Sequence, residues 1–266
     1  MNNDAIALSQ LRDVVEKLIG PDGCPWDREQ TPLTLCDYLA EETFELIDAV
    51  RRNDVDEVRE EMGDVLFLIA FIAKLYEKEF SLGEALHDSA EKMIRRHPHV
   101  FADATCANRE QLLQTWETVK KAEKAEKADK KTGVFASLPD SLPPLLKSYR
   151  IHAKAARANF TWDNDTDVEQ QTEAEWLELL DALAGNDPDA TERELGDLLF
   201  TLVELGRRKG IKANAALHKT TLRFLSRFRY MEDVAARDGK EFASLDMEEK
   251  NRLWDEAKAR EKASAG

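Results

Sequence analysis

The chain has 266 residues, 42% hydrophobic and 34% charged, with a formal net charge of −15. That length allows one large domain or two modest ones, and the acidic balance argues against a nucleic-acid partner, which rewards clustered Lys and Arg. Three cysteines, Cys24, Cys36 and Cys106, contain no CxxC pair and leave one over, which argues against a disulfide scaffold or a cysteine-built zinc site.

The opening residues lack the basic start and apolar run of a signal peptide. The longest apolar run, Val65 to Ala73, is too short to span a bilayer. The expectation is a cytoplasmic protein with reduced cysteines and no membrane partner.

Helical periodicity dominates, and no alternating β-branched run suggests a sheet, so an all-α fold is expected. Helices are predicted over 4–19, 33–53, 54–79, 82–96 and 108–131, then 144–158, 167–184, 189–209, 213–237 and 247–262. In the second helix Leu35, Tyr38, Leu39, Leu46, Ala49 and Val50 share one arc at about 100° per residue. That arc should be buried, yet Glu42 falls in its middle and Glu45 at its edge. In the third helix Glu61 and Asp64 share the side of Leu68, Phe71, Ile72 and Leu75. A short turn around Asn53–Asp54 would set these helices antiparallel. Glu42, Glu45, Glu61 and Asp64 would then meet.

Residues 120–131 are low in complexity. Glu123–Lys127 and Glu126–Lys130 are spaced i,i+4, which suits a solvated helical arm. Pro139, Pro143 and Pro144 then interrupt helical structure. The expected organisation is a first unit over 1–131, a Pro-containing linker over 132–146 and a second unit over 147–266.

The second unit repeats the first. GDVLF at Gly63–Phe67 returns as GDLLF at Gly196–Phe200, an offset of 133. The same offset carries Glu42, Glu45, Glu61 and Asp64 to Glu175, Glu178, Glu194 and Asp197. Further on, an offset of 131 takes Lys92 and Arg96 to Arg223 and Arg227, and one of 138 takes Trp116 and Lys120 to Trp254 and Lys258. CPWD at Cys24–Asp27 has a looser echo in FTWD at Phe160–Asp163. Two copies mark a duplicated helical-bundle unit rather than a solenoid.

Four carboxylates on an apolar face cannot all ionise without compensation. A bound cation supplies it, and oxygen-only ligands suit Mg²⁺ or Mn²⁺ better than zinc. Carboxylate-bound Mg²⁺ usually keeps waters and takes substrate phosphate oxygens. Lys92 with Arg96, or Arg223 with Arg227, could neutralise those phosphates. Trp116 and Trp254 could stack on a base, with Lys120 and Lys258 one turn away reaching phosphate.

EETFE (Glu41–Glu45) followed by EMGD (Glu61–Asp64) matches the EExxE…ExxD motif of the all-α nucleoside triphosphate pyrophosphohydrolases. GCPWDREQT (Gly23–Thr31) and RRHPHVF (Arg95–Phe101) narrow this, and the chain closely resembles the two-unit MazG family over nearly its whole length. The resemblance implies Mg²⁺-dependent hydrolysis of (d)NTPs to the monophosphate and pyrophosphate, with broad base tolerance. It also implies removal of surplus or non-standard nucleotides, and homodimers with composite helical bundles. A dedicated dUTP or dCTP pyrophosphatase, or a non-enzymatic helical regulator, are the competing readings. By motif, Glu42, Glu45, Glu61 and Asp64 resemble the metal ligands of one site, and Glu175, Glu178, Glu194 and Asp197 those of the other. Arg223, Arg227, Trp254 and Lys258 resemble nucleotide contacts.

The motif departs once: Glu41 is replaced by Ala174 in the second unit. The second unit also carries Thr201 and Glu204 where the first has Leu68 and Phe71, so its pocket wall is expected to be more polar. Glu45 or Glu178 is the candidate for orienting the attacking water.

Overall fold

The computed structural model describes residues 3–102 and 133–264, together with 108, 111–112, 115–116, 118–119 and 123. Cys106, Lys120 and most of the helix predicted over 108–131 lie outside the described residues. The all-α expectation holds, with no strand among the described residues. The chain divides into two compact units, Met1–Ala128 and Asp129–Gly266.

The first unit runs α1 (Asn3–Leu18), α2 (Pro25–Arg28), α3 (Leu35–Arg52), α4 (Val55–Leu75), α5 (Leu82–Arg96) and α6 (Pro98–Phe101). Local chemistry sets several of these boundaries. The Asp54 carboxylate accepts a hydrogen bond from the Glu57 N–H at the start of α4, and Ser81 with Glu84 forms a capping box at the start of α5. Between α3 and α4, Asn53 takes a left-handed conformation at φ 57°, which Asn tolerates better than most residues. Between α1 and α2 the backbone folds so tightly that a Cβ at Gly23 would stand 2.0 Å from the Leu18 carbonyl oxygen. The next residue, Cys24, donates its N–H to that same oxygen at 2.8 Å. Helices α1 and α3 pack against α4, and Val15, Leu35, Leu68, Ala70 and Phe71 form the buried centre.

The second unit runs α7 (Pro144–Arg157), α8 (Asp165–Ala184), α9 (Pro188–Arg208), α10 (Ala213–Arg237), a 3-10 turn at Phe242–Ser244 and α11 (Met247–Ser264). Asn186 repeats the left-handed turn at φ 51°, and Asp187 caps α9 through the Ala190 N–H. Both lie 133 residues beyond their counterparts. Helices α7 and α8 pack against α9. A separate cluster of Met231, Ala235, Leu245 and Leu253 ties α10 to α11.

The interior of the second unit is partly ionic. Glu204 is 1% exposed, and Arg207 donates Nε to Oε2 at 2.6 Å and Nη2 to Oε1 at 2.8 Å. His152, also buried, sits with Nδ1 3.6 Å from Glu204 Oε2 and Nε2 3.0 Å from the Phe200 carbonyl oxygen. Thr201 is buried beside them. Thr201 and Glu204 therefore belong to the core of the unit, which corrects the expectation that they line a pocket wall.

No helix among the described residues is long and apolar enough to cross a membrane. Cys24 and Cys36 are free thiols.

Candidate active site

Helix α3 lies along α4, joined by the Asn53 turn, and α8 lies along α9 in the same way. In the first pair, one oxygen each from Glu42, Glu45 and Glu61 falls within 4.8 Å of the others. In the second, Glu175, Glu194 and Asp197 do the same. Asp64 and Glu178 are exposed and stand outside these close groups, although each is near enough to act on them electrostatically.

The carboxylates are less buried than the helical wheel implies. Glu42 and Glu61 are half-buried, while Glu45 and Asp64 are exposed. Of the apolar arc on α3, Leu35 and Ala49 are buried, but Tyr38 and Val50 face solvent. Helices α1 and α5 also pack on α4, and the described residues leave these positions uncovered. Phe44, Met62, Leu66 and Ile69 are exposed on these same two helices. Trp176, Leu177, Leu195 and Leu199 repeat the pattern on α8 and α9.

Crowding leaves a clear electrostatic mark. Desolvation, then the charges of Glu45, Asp64 and Glu61 with a hydrogen bond to Glu61, push the Glu42 carboxyl up to about 7. Glu178 is pushed upward too, by desolvation and by Glu175, Glu194 and Asp197. A hard divalent cation would relieve that repulsion, and three close oxygen donors fit one.

In the first unit these acids open onto a cleft lined by Glu41, Phe44, Glu45, Asp48, Arg52, Glu57 and Glu61. Arg52 is held there by Asp48 at 2.9 Å and by Glu57. The second unit has Ala174, Gly185 and Ala190 at the positions of Glu41, Arg52 and Glu57. The two units thus share their acids and differ at the positions that line the first unit's cleft.

Four of the predicted basic residues are already engaged. Arg96 stacks on Trp116, its Cζ 5.5 Å from the ring centre, and donates to Glu123 at 2.6 Å. Arg227 stacks on Trp254 at 5.3 Å and donates to Glu261 at 2.7 Å. Arg223 donates to the Thr220 hydroxyl at 2.8 Å, and Lys258 pairs with Asp255 at 2.9 Å. Lys92 is half-buried on α5. The side chain of Glu123, expected on a solvated arm, is only 15% exposed against Arg96. Glu123 and Glu261 escaped the sequence reading, although each lies seven residues, two helical turns, beyond its tryptophan. His97 closes α5, with Nδ1 2.6 Å from the Met93 carbonyl oxygen and its ring edge-on to Trp116 at 5.0 Å.

A family model described as the MazG nucleotide pyrophosphohydrolase domain matches residues 30–101, the stretch that carries Glu42, Glu45, Glu61 and Asp64. The chain is 36% identical over 259 residues to the nucleoside triphosphate pyrophosphohydrolase of Escherichia coli K12, covering 96% of this chain and 98% of that protein. It is likewise 36% identical over 260 residues to the nucleoside triphosphate pyrophosphohydrolase/pyrophosphatase MazG of Thermotoga maritima, covering 97% and 98%. Both alignments run through both units.

Proposed function

The chain belongs to the MazG family of nucleoside triphosphate pyrophosphohydrolases, and from that premise we propose that both units hydrolyse (d)NTPs with Mg²⁺ and broad base tolerance. The observation that carries the two-site reading is that each helix pair brings three carboxylate oxygens close together, with Glu42 and Glu61 in one set answering to Glu175 and Glu194 in the other. In this reading Glu42, Glu45, Glu61 and Asp64 hold one cation, and Glu175, Glu178, Glu194 and Asp197 the other. Mn²⁺ would fit the same oxygen donors.

The reaction is attack by water on the α-phosphorus. An oxygen–phosphorus bond forms, the bond to the β-phosphate bridging oxygen breaks, and pyrophosphate leaves. When bound, the cation lends Lewis acidity and offsets charge on the phosphate oxygens. Glu45 and Glu178, the more exposed acids of their sets on α3 and α8, orient the water and accept its proton. Lys92 and Arg96 in one unit, and Arg223 and Arg227 in the other, stabilise the departing pyrophosphate. Trp116 and Trp254 offer flat apolar surfaces to a base, and phosphate contact is assigned to Lys258 and, by its place in the sequence, to Lys120. A π-face accepts any base, which supports breadth over a single preferred one.

We also assign a homodimer. The exposed apolar residues beside the acids are costly to leave in water, at about 25 cal/mol per Å². A second copy would cover them and close the clefts. The nucleotide pool then places the enzyme in the cytoplasm, clearing surplus or non-standard nucleotides.

The test is a panel of canonical and modified (d)NTPs with pyrophosphate detection, run with and without Mg²⁺. Pyrophosphate release across most bases supports the reading. Confinement to dUTP or dCTP would replace it with a dedicated pyrophosphatase on the same fold, and no release with any divalent cation would sink it.

A further inference from the structure

One arrangement recurs in both units, and the acid in it plays no part in the mechanism above. In the first, Arg96 donates both Nε and Nη2 to Glu123 Oε2, at 3.0 and 2.6 Å, while lying over Trp116. In the second, Arg227 donates Nε to Glu261 Oε2 at 2.7 Å, with Nη2 also 2.7 Å from that oxygen, while lying over Trp254. The arginine comes from one helix, and the aromatic ring and acid come from a segment further along the chain. The insertion between them differs between units, since the offset is 131 for the arginine and 138 for the tryptophan and glutamate. The triad has kept its geometry although the segment between its members changed length.

We propose that Glu123 and Glu261 are positioning residues that clamp the guanidinium on the tryptophan face and present its remaining N–H groups to the triphosphate. An arginine has five N–H donors in a fixed planar fork. The carboxylate takes the Nε–H and one Nη2–H, which leaves three for phosphate oxygens. Without the acid the long side chain regains its rotamer freedom and must lose it again at each binding event. The acid also carries a negative charge near the substrate, which opposes phosphate. The two effects have opposite signs in KM, so measurement separates them.

The proposal rests on the reading that Arg96 and Arg227 contact the substrate. It is tested in the full chain with paired variants: Glu123→Ala with Glu261→Ala, the matching Glu→Gln pair, Arg96→Ala with Arg227→Ala, and all four changes together. Steady-state hydrolysis of dATP and dTTP with Mg²⁺ is followed by pyrophosphate release, and thermal unfolding of each protein is recorded. The expected result for the glutamate-to-alanine pair is a KM raised about threefold to tenfold with kcat within about twofold. The Gln pair, which keeps an acceptor oxygen, should recover much of that loss. In the arginine-to-alanine background the glutamate changes should add nothing, because there is no guanidinium left to place. An unchanged or lowered KM in the glutamate pair, beside a raised KM in the arginine pair, overturns the positioning role while sparing the substrate-contact reading. An arginine pair with both KM and kcat unaltered overturns that reading and the proposal with it. A glutamate effect that persists in the arginine background, or a lowered unfolding temperature with unchanged kinetics, shows a structural acid and also overturns the proposal.

Discussion

Glu204, buried in the second unit and gripped in a two-pronged hydrogen bond by Arg207, occupies the position that Phe71 fills in the first. Lys74, the counterpart of Arg207, pairs instead with Glu16 and Glu77. One fold thus tolerates two solutions at the same core position. A buried ion pair is weak evidence of net stability, but breaking one partner strands the other. Glu204→Ala should therefore destabilise the second unit by about 3 kcal/mol, read by urea denaturation. Replacing both, as Glu204→Leu with Arg207→Met, should recover most of that loss. Equal damage from the single and double variants would refute the stranded-charge account.

The same cluster makes the second unit acid-sensitive. Burial alone would push the Glu204 carboxyl up, but Arg207, His152 and Thr161 hold it below the usual carboxylate range. A group depressed in the folded state contributes stability above its unfolded pKa, and that stability is lost as pH falls through the folded value. His152 is also pushed down, chiefly by burial and also by Arg207, against the opposing Phe200 hydrogen bond and Glu204 charge. The unfolded chain takes up that proton first, so stability begins to fall below about pH 6.5. Both signs agree: acid weakens this unit. In His152→Phe, the part of the decline that begins near neutrality should vanish from melting curves taken across pH. An identical pH profile in the variant would assign that decline to other groups.

For the metal sets, Glu61→Ala should silence the first unit and Glu194→Ala the second. Each single variant should retain turnover from the other unit. The double variant should lose activity by a factor on the order of 100 or more, and calorimetric Mg²⁺ binding should disappear in step. Pyrophosphate release by the double variant at the rate of the unaltered protein would exclude these carboxylates from the chemistry.

Leu66 and Leu199 are exposed on the carboxylate-bearing helix pairs. Leu66→Asp with Leu199→Asp should shift the mass seen by sedimentation from two chains to one. Helical circular dichroism should be unaltered, since neither residue is part of the buried centre. A single-chain mass for the unaltered protein would remove the dimer.

Gly23→Ala should cost the first unit about 2 kcal/mol, because the added Cβ meets the Leu18 carbonyl at 2.0 Å and backbone must shift to admit it. Differential scanning calorimetry should show the loss. An unshifted transition would mean that the α1–α2 connection relaxes at no cost.

The helices were largely legible from periodicity and punctuation. The fourth and ninth predicted spans, 82–96 and 213–237, coincide with α5 and α10, where Ser81 and Gly210–Lys212 mark the beginnings. The single-turn helices Pro25–Arg28 and Pro98–Phe101 were missed, since four residues give no period to read. The meeting of acids from two helices was visible because they sit on one arc of each. What covers an arc was not: a wheel groups side chains by direction and says nothing of the next layer. That is why the acids are more exposed than expected, and why Thr201 and Glu204 were assigned to a pocket wall. Glu123 and Glu261 needed a contact to distant arginines, which no local spacing reveals.

The left-handed asparagines at 53 and 186 have a kinetic consequence. Each turn joins two helices that are adjacent in the chain, so all eight carboxylates lie in two local hairpins of about 40 residues, the kind of short-range pairing that forms fast. A hairpin can close and gather its acids before distant segments arrive. Their mutual repulsion then acts on the earliest folded structure, and a divalent ion present during folding would speed that closure rather than only stabilise the finished unit.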